Sequence, residues 1–333
     1  MDIYVSTHGS KVGILGGKLT VTFPDDTLQT FPFNTIKSVT LLSTVQISSQ
    51  AIEKLCDIGI MISWISSSGK IIGNIYSPDN NDTQKQYNQF KTLENQKFRN
   101  TFAQNIIKAK INNQRMLISR LMRNNYNKNA EEFYNLMKLS KNSCNDIKDI
   151  SQLLGIEGNA AKYYFSALKE FIPEEFGFNS RTKHPPKDPV SSALSFTYTL
   201  LYRDAVIALK SRGFNTYVGI MHEVRHGHHA LASDIMEEFR AVIADSVVID
   251  FIFNKNTSLN DFNFNQNGNV YVNNTGLKKI IGMYENKMNE KVSYIFKNGY
   301  SNTYRGALYI QSDSLSRAYD EQNAELYQPI YTR

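Results

Sequence analysis

The chain has 333 residues, 41% of them apolar and 12% aromatic, and carries a net charge of +6. That composition is of a folded globular protein, and the length suits two domains. Its longest apolar run, 58–65, falls far short of the ~20 residues of a membrane span, and the two cysteines, Cys56 and Cys144, form no disulfide framework. With no signal-like segment after Met1, a reducing cytoplasmic location is expected.

The charge is unevenly placed: residues 1–80 hold five lysines, no arginine and six acids, so the positive excess belongs wholly to the remainder. The same boundary separates two hydrophobic periods. Ile3-Tyr4-Val5 and Val12 to Leu15 read as short strands, Gly16-Gly17 as a hairpin turn, and Leu19 to Phe23 alternates towards a Pro24-Asp25-Asp26 turn. Another strand is expected over 36–42. Ser48 or Ser49 can cap a helix running to about Asp57, before Gly59. A hairpin over 60–65 and 71–76, turning through 66–70, completes a small β-rich domain with one helix. The turn-forming run Pro78-Asp79-Asn80-Asn81-Asp82 marks the end of that domain.

Beyond it the period is helical, which predicts an α+β chain: a β-rich domain over 1–80 and a larger all-α domain over 81–333. Phe98, Phe102, Ile106, Ile107, Ile111, Leu117, Ile118 and Leu121 give one face of a long helix. Between Asn95 and Ala130 the chain has Lys97, Arg99, Lys108, Lys110, Arg115, Arg120, Arg123 and Lys128 and no acid. Such a stripe suits a phosphate backbone, and it equally suits a solvated helix face. Asp188-Pro189 is a good N-cap followed by a good first helical residue, so an almost wholly apolar helix is expected over 190–211, in the middle of its domain. Asn267-Gly268 suggests one short hairpin within 262–272.

Candidate ligands crowd the segment 219–240, where four of the six histidines fall within eight residues. His222-Glu223-Val224-Arg225-His226 matches the pattern of zinc proteases, which requires both histidines on one helix. Gly227 weakens that helix, and the further ligands of the extended pattern are missing, so the protease reading is disfavoured. Asp234, Glu237 and Glu238 are spaced to share one helical face, which either gathers a cation or is a solvated acidic face paired by Arg240. A third acid, Glu157, stands between Gly155 and Gly158 at an expected helix start, a place that suits close approach of another element or simply a charge at a helix N-terminus.

Taken together, four motifs in order resemble one family. They are Gly155-x-Glu157-Gly158-x-x-Ala161-x-x-Tyr164-Phe165; Arg181-x-x-x-Pro185-Pro186-x-Asp188-Pro189-Val190; Gly213-Phe214-x-x-x-x-Gly219-x-x-His222; and Asp234-x-Met236-Glu237-Glu238-Phe239-Arg240. The chain resembles the CRISPR-associated Cas-one integrases over essentially its whole length, including a C-terminal pattern of Tyr304-Arg305, Gln311 and Tyr327-x-Pro329. Ser191, where asparagine is common in that family, and Ala230, where serine is common, depart from it.

The resemblance implies that Glu157, His222 and Glu237 are metal ligands and catalytic residues, with Asp234 as an auxiliary catalytic acid. Two carboxylates and an imidazole suit Mg²⁺ or Mn²⁺ better than a closed zinc site. It also implies cleavage and strand transfer of double-stranded DNA, inserting spacers into a CRISPR array by 3′-hydroxyl attack. A homodimer built through the β-domain, two such dimers being bridged by a dimer of the small partner Cas-two, is implied as well. Lys162, Arg181, Arg225, His228, Lys108 and Arg115 are the candidate DNA contacts, and His226 and His229 are further histidines of the cluster. Two alternatives stay open: a non-catalytic DNA-binding scaffold, and a transposon-borne integrase of the same fold. The latter usually adds a C-terminal DNA-binding domain, for which a chain ending at Arg333 has no room.

Overall fold

A computed structural model describes residues 1–42, 44–66, 71–77, 82–145, 147, 149–183, 185–292 and 302–332. The turn expected over 66–70 and the boundary segment 78–82 lie largely outside these residues. The chain divides into two compact units, Met1–Asn80 and Asn81–Arg333.

The first unit holds two four-stranded sheets. One is ordered β1 (Asp2–Val5), β5 (Ser38–Leu42), β7 (Met61–Ile65), β8 (Ile71–Ile75), and the other β4 (Leu28–Phe31), β3 (Lys18–Thr22), β2 (Lys11–Leu15), β6 (Gln46–Ile47). Gly16 and Gly17, both at positive φ, turn β2 into β3 so that Leu15 faces Lys18. Helix α1 (Ser49–Asp57) begins where the Ser48 hydroxyl accepts the Ala51 N–H. Val5, Leu19, Val39, Leu41, Leu55 and Ile62 fill the core between these elements. Strands β4 and β6 go beyond the sequence expectation. β4 is an edge strand with three of its four residues exposed, so it carries no alternating pattern, and β6 is two residues long.

The second unit is built on helices α2 (Thr83–Glu94), α3 (Gln96–Asn124), α4 (Lys128–Ser143), α5 (Ile150–Lys169), α6 (Pro189–Lys210), α7 (Ala230–Met236), α8 (Ser246–Ile252), α9 (Asn274–Asn289) and α10 (Tyr304–Asp320). It is not all-α: β9 (Phe262–Phe264) pairs with β10 (Val270–Val272) around Gly268, as the Asn-Gly pair suggested, and β11 (Lys291–Val292) pairs with β12 (Asn302–Thr303). The basic helix expected over 97–128 is α3, which stops at Asn124; Asn125 is extended, and Asn127 caps a separate α4. Asp188 caps α6 by accepting the Ser191 N–H at 2.7 Å, with Pro189 next in the helix. Both α3 and α6 are buried through their middle turns.

Residues Arg240–Asp245, between α7 and α8, wind as a π-helix. A wider turn of this kind rotates the side chains that follow it, and such turns concentrate at functional sites. Among the described residues no helix is long and apolar enough to cross a membrane.

Candidate functional site

Four segments of the second unit bring charged groups together. α3 supplies Lys110, α5 supplies Glu157, the loop before α7 supplies His222, and the turn after α7 supplies Glu237 and Arg240. Glu157 lies inside α5, away from its start, and Gly155 and Gly158 meet no heavy atom within 4 Å of a built Cβ. These glycines therefore do not serve close packing of another element of the unit. They leave open space beside Glu157.

The loop 217–229 is irregular, with no helix carrying His222 and His226, which removes the geometry a zinc protease needs. Its shape is set by Asp234, fully buried on α7. The Asp234 carboxylate accepts the backbone N–H groups of Ile220 (2.5 Å), Met221 (3.2 Å) and His222 (3.0 Å), and His222 Nδ1 stands 2.6 Å away. A carboxylate has about four acceptor sites, and all are taken. Asp234 is thus a support behind His222, with no acceptor site left for a metal ion. Because an ionised carboxylate only accepts, Nδ1 must be the donor, which leaves the Nε2 lone pair free on the side of Glu237, whose Oε1 is 3.9 Å away.

Burial works against charge on His222, but the Asp234 hydrogen bond and the charges of Asp234 and Glu237 outweigh it and raise the imidazole above its ordinary 6.5. Asp234→Asn should therefore bring the His222 pKa to or below 6.5 in an NMR titration. An unchanged value would mean that Asp234 does not hold the ring.

Close packing also fixes this loop. A Cβ at Gly219 would lie 2.7 Å from Ala230 Cβ and 2.8 Å from the His222 carbonyl oxygen. Gly219→Ala must push the loop away from α7, at a cost of about 1–3 kcal/mol for overpacking. Urea denaturation should register this loss, and an unchanged midpoint would contradict it.

Glu237 is nearly buried and is faced by two cations: Arg240 Nη1 is 2.9 Å from Oε1, and Lys110 Nζ is 2.7 Å from Oε2. Burial alone would raise this carboxyl, but Arg240 and Lys110 overcome it and lower the pKa to about 2. Oε2 faces the Lys110 ammonium as its counter-charge. Lys110 is itself buried and also pairs with Glu157. Desolvation disfavours its charge, but Glu237 and Glu157 more than offset this and hold its pKa above the ordinary value.

The two carboxylates therefore converge on one cation, the Lys110 ammonium. Among the described residues no three of His, Cys, Asp and Glu are closed around a single point. The donor set nonetheless fits a hard divalent ion: two carboxylates drawn to one cation, with the Nε2 of His222 turned towards Glu237.

Glu238 does not share this face. It is buried on the far side, accepting from Tyr327 Oη, the Ile330 N–H and Gln311 Nε2. The expected three-acid face is therefore split. Within the C-terminal pattern, Tyr327 and Gln311 bind Glu238 and Arg305 binds Asp204, both acids of the core.

The other candidates scatter. Lys162 is exposed on α5, Lys108 is half-buried on α3, and Arg225 is exposed and paired with Glu223. Arg115 is buried, its guanidinium over the Tyr134 ring, so it packs α3 against α4. Arg181 is half-buried, donates to Ser195 and lies over Tyr198, and desolvation lowers its pKa. His228 lies beside the His222 ring and contacts Ser233, while His226 is exposed. His229 is buried against Thr216 and Tyr217, and burial pulls its pKa down to about 4, which suits a structural role.

Sequence reasoning did not single out Lys110, nor the support beneath Arg240. There Tyr198 lies under the guanidinium, and both Tyr164 and Tyr198 donate to the buried Asp245. Tyr164 was legible only as part of a motif.

The family model for CRISPR associated protein Cas1 matches residues 3–286. The chain is 30% identical over 294 residues to CRISPR-associated endonuclease Cas1 3 of Thermus thermophilus, covering 88% of this chain and 86% of that one. Among solved structures it is similar to a chain of a Cas6-RT-Cas1–Cas2 complex, with a TM-score of 0.86 and 25% identity, covering all of this chain and 36% of that one. It is also similar in fold to a casposase bound to its integration product, with a TM-score of 0.88 and 22% identity over 99% of this chain and 94% of that one.

Proposed function

The chain belongs to the CRISPR-associated Cas1 family, and from that premise we propose that it is a divalent-metal-dependent DNA endonuclease and integrase that inserts new spacer DNA into a CRISPR array. The observation that carries this reading is the convergence of Glu157 and Glu237 on one cation beside a His222 whose Nε2 is left free by Asp234. Glu157, Glu237 and His222 would hold Mg²⁺ or Mn²⁺. When bound, such an ion polarises a phosphate and favours the deprotonated form of an attacking hydroxyl.

The chain's own groups do the rest. Arg240, anchored on Tyr198 and paired with Glu237, keeps positive charge beside the reacting phosphate. Asp234 keeps the imidazole in the tautomer that presents Nε2. The open space at Gly155 and Gly158 lets a sugar-phosphate backbone lie against α5 beside Glu157. Exposed Lys162 and Arg225 are candidates for phosphate contacts further out.

Double-stranded DNA is the proposed substrate. A Cas2 partner is proposed from the likeness to a chain of a Cas6-RT-Cas1–Cas2 complex, and a homodimer from the family resemblance alone. The casposase likeness supports the integrase chemistry and keeps a transposon-borne integrase as the second reading. The test is metal-dependent joining of a 3′-hydroxyl duplex to a supercoiled plasmid carrying the CRISPR repeat of the host. Insertion at the repeat supports spacer acquisition, insertion elsewhere without regard to the repeat favours the transposon reading, and no joining with either metal defeats both.

A further inference from the structure

Lys110 has no assigned part in this reading, yet it is the group that holds the two carboxylates together. It reaches them from the apolar face of α3, with its side chain 5% exposed, and pairs with Glu157 on α5 and Glu237 beyond α7. With Arg240 on Glu237, the two carboxylates already face two cations. A divalent ion held by Glu157 and Glu237 cannot share the space of an ammonium 2.7 Å from one of them, and it gains little from carboxylates whose charge is already matched.

Resting on the metal dependence proposed above, we propose that Lys110 is an internal counter-cation that a divalent ion must displace, and that DNA assists the displacement by offering the freed ammonium a phosphate. Lys110 is then a positioning residue that couples metal binding to substrate binding. The metal seat is weak while no DNA is present, because Lys110 competes for it. It tightens when a phosphate takes over as the partner of the lysine. By linkage the metal must tighten DNA by the same factor.

A buried ammonium is strongly disfavoured without a counter-charge, so the freed Lys110 needs a new anion close by. The open flank of α5 at Gly155 and Gly158 is where a phosphate can approach Glu157 and its partner.

The experiment is Mn²⁺ binding to the full chain, read by EPR of free Mn²⁺, with and without a short duplex ending in 3′-dideoxynucleotides. In the unaltered chain the duplex should tighten Mn²⁺ by about tenfold, within the usual range for coupled sites. Lys110→Met should bind Mn²⁺ about tenfold tighter than the unaltered chain when no duplex is present, and adding the duplex should change its affinity little. Lys110→Arg, which keeps the cation, should behave as the unaltered chain does.

Glu157→Gln, which leaves Lys110 paired with Glu237, separates the two ideas. If it abolishes Mn²⁺ binding while Lys110→Met binds no tighter than the unaltered chain, the metal site stands and the counter-cation role is overturned. Absence of any effect of the duplex on the unaltered chain overturns it independently of whether Lys110→Met folds. If no protein binds Mn²⁺ with or without DNA, the metal dependence itself is lost, and this inference with it.

Discussion

Glu157→Gln is expected to reduce strand transfer into a repeat-bearing plasmid by about 10³-fold, the scale on which loss of a transition-state charge partner is felt, while the protein still folds and binds DNA. Glu157 is the better position to test than Glu237. Its side chain is 24% exposed and among the described residues it forms one ion pair, with a Lys110 that also keeps Glu237, so the amide substitution leaves little buried charge uncompensated. Removing Glu237 would strand the buried Arg240 and leave Lys110 with Glu157 alone, at a cost of roughly 3–5 kcal/mol for a broken buried pair, and would confuse loss of chemistry with loss of fold. DNA affinity should change by less than about threefold, because it arises from many phosphate contacts spread over the surface. Gel-based strand transfer beside a filter-binding titration checks both halves. Full activity in Glu157→Gln would remove Glu157 from the chemistry, and inactivity matched by lost DNA binding would make it a substrate contact.

The parts of this molecule that were legible in the sequence are those decided within a few residues of chain. Asp188-Pro189 set the start of α6, Ser48 the start of α1, and Gly16-Gly17 and Asn267-Gly268 their hairpins, because capping and positive φ are local requirements. β4 was hidden because an exposed edge strand needs no apolar alternation, and α4 because its polar face outweighs its two buried residues.

At the site, Glu157, His222 and Glu237 were joined only through a family resemblance, since three distant segments cannot be docked from periodicity. Their supports were hidden for the same reason. Asp234 reaches back to 220–222 through a loop of no regular period, and nothing local distinguishes it from Glu238, which turns the other way. Lys110 was the exception. It lies four residues after Ile106 and seven before Leu117, squarely on the apolar stripe of α3, where a lysine demands a buried acid. Counting it with the basic stripe concealed that signal.

The division between Glu237 and Glu238 leads to the second large effect. Among the described residues Glu238 has no cationic partner; it is fully buried, holding α10 and the C-terminal segment through Gln311, Tyr327 and the Ile330 backbone. Its own carbonyl accepts from Asn113 on α3, one turn beyond Lys110. Glu238→Ala takes the acceptor from the Tyr327 hydroxyl and the Ile330 N–H, leaves Gln311 Nε2 with the Gln328 carbonyl, and opens a cavity, so a loss of about 3–5 kcal/mol is expected, with early proteolysis of the chain beyond residue 320.

Glu238→Gln keeps the volume and one acceptor, and should cost far less. The contrast follows from protonation: burial outweighs the three donated hydrogen bonds and raises the Glu238 carboxyl to about 7, so near neutrality much of the native protein already carries a neutral side chain there. Since the folded value lies above the ordinary 4.5, the native state holds this proton more tightly than the unfolded chain. Its contribution to stability is full below about pH 4.5 and is lost as pH rises to about 7. Urea midpoints at pH 5 and pH 8 should show that decline in the unaltered protein and a flatter dependence in Glu238→Gln. An equal slope in both would mean that Glu238 is ionised throughout, with its three donors sufficient to hold the bare carboxylate.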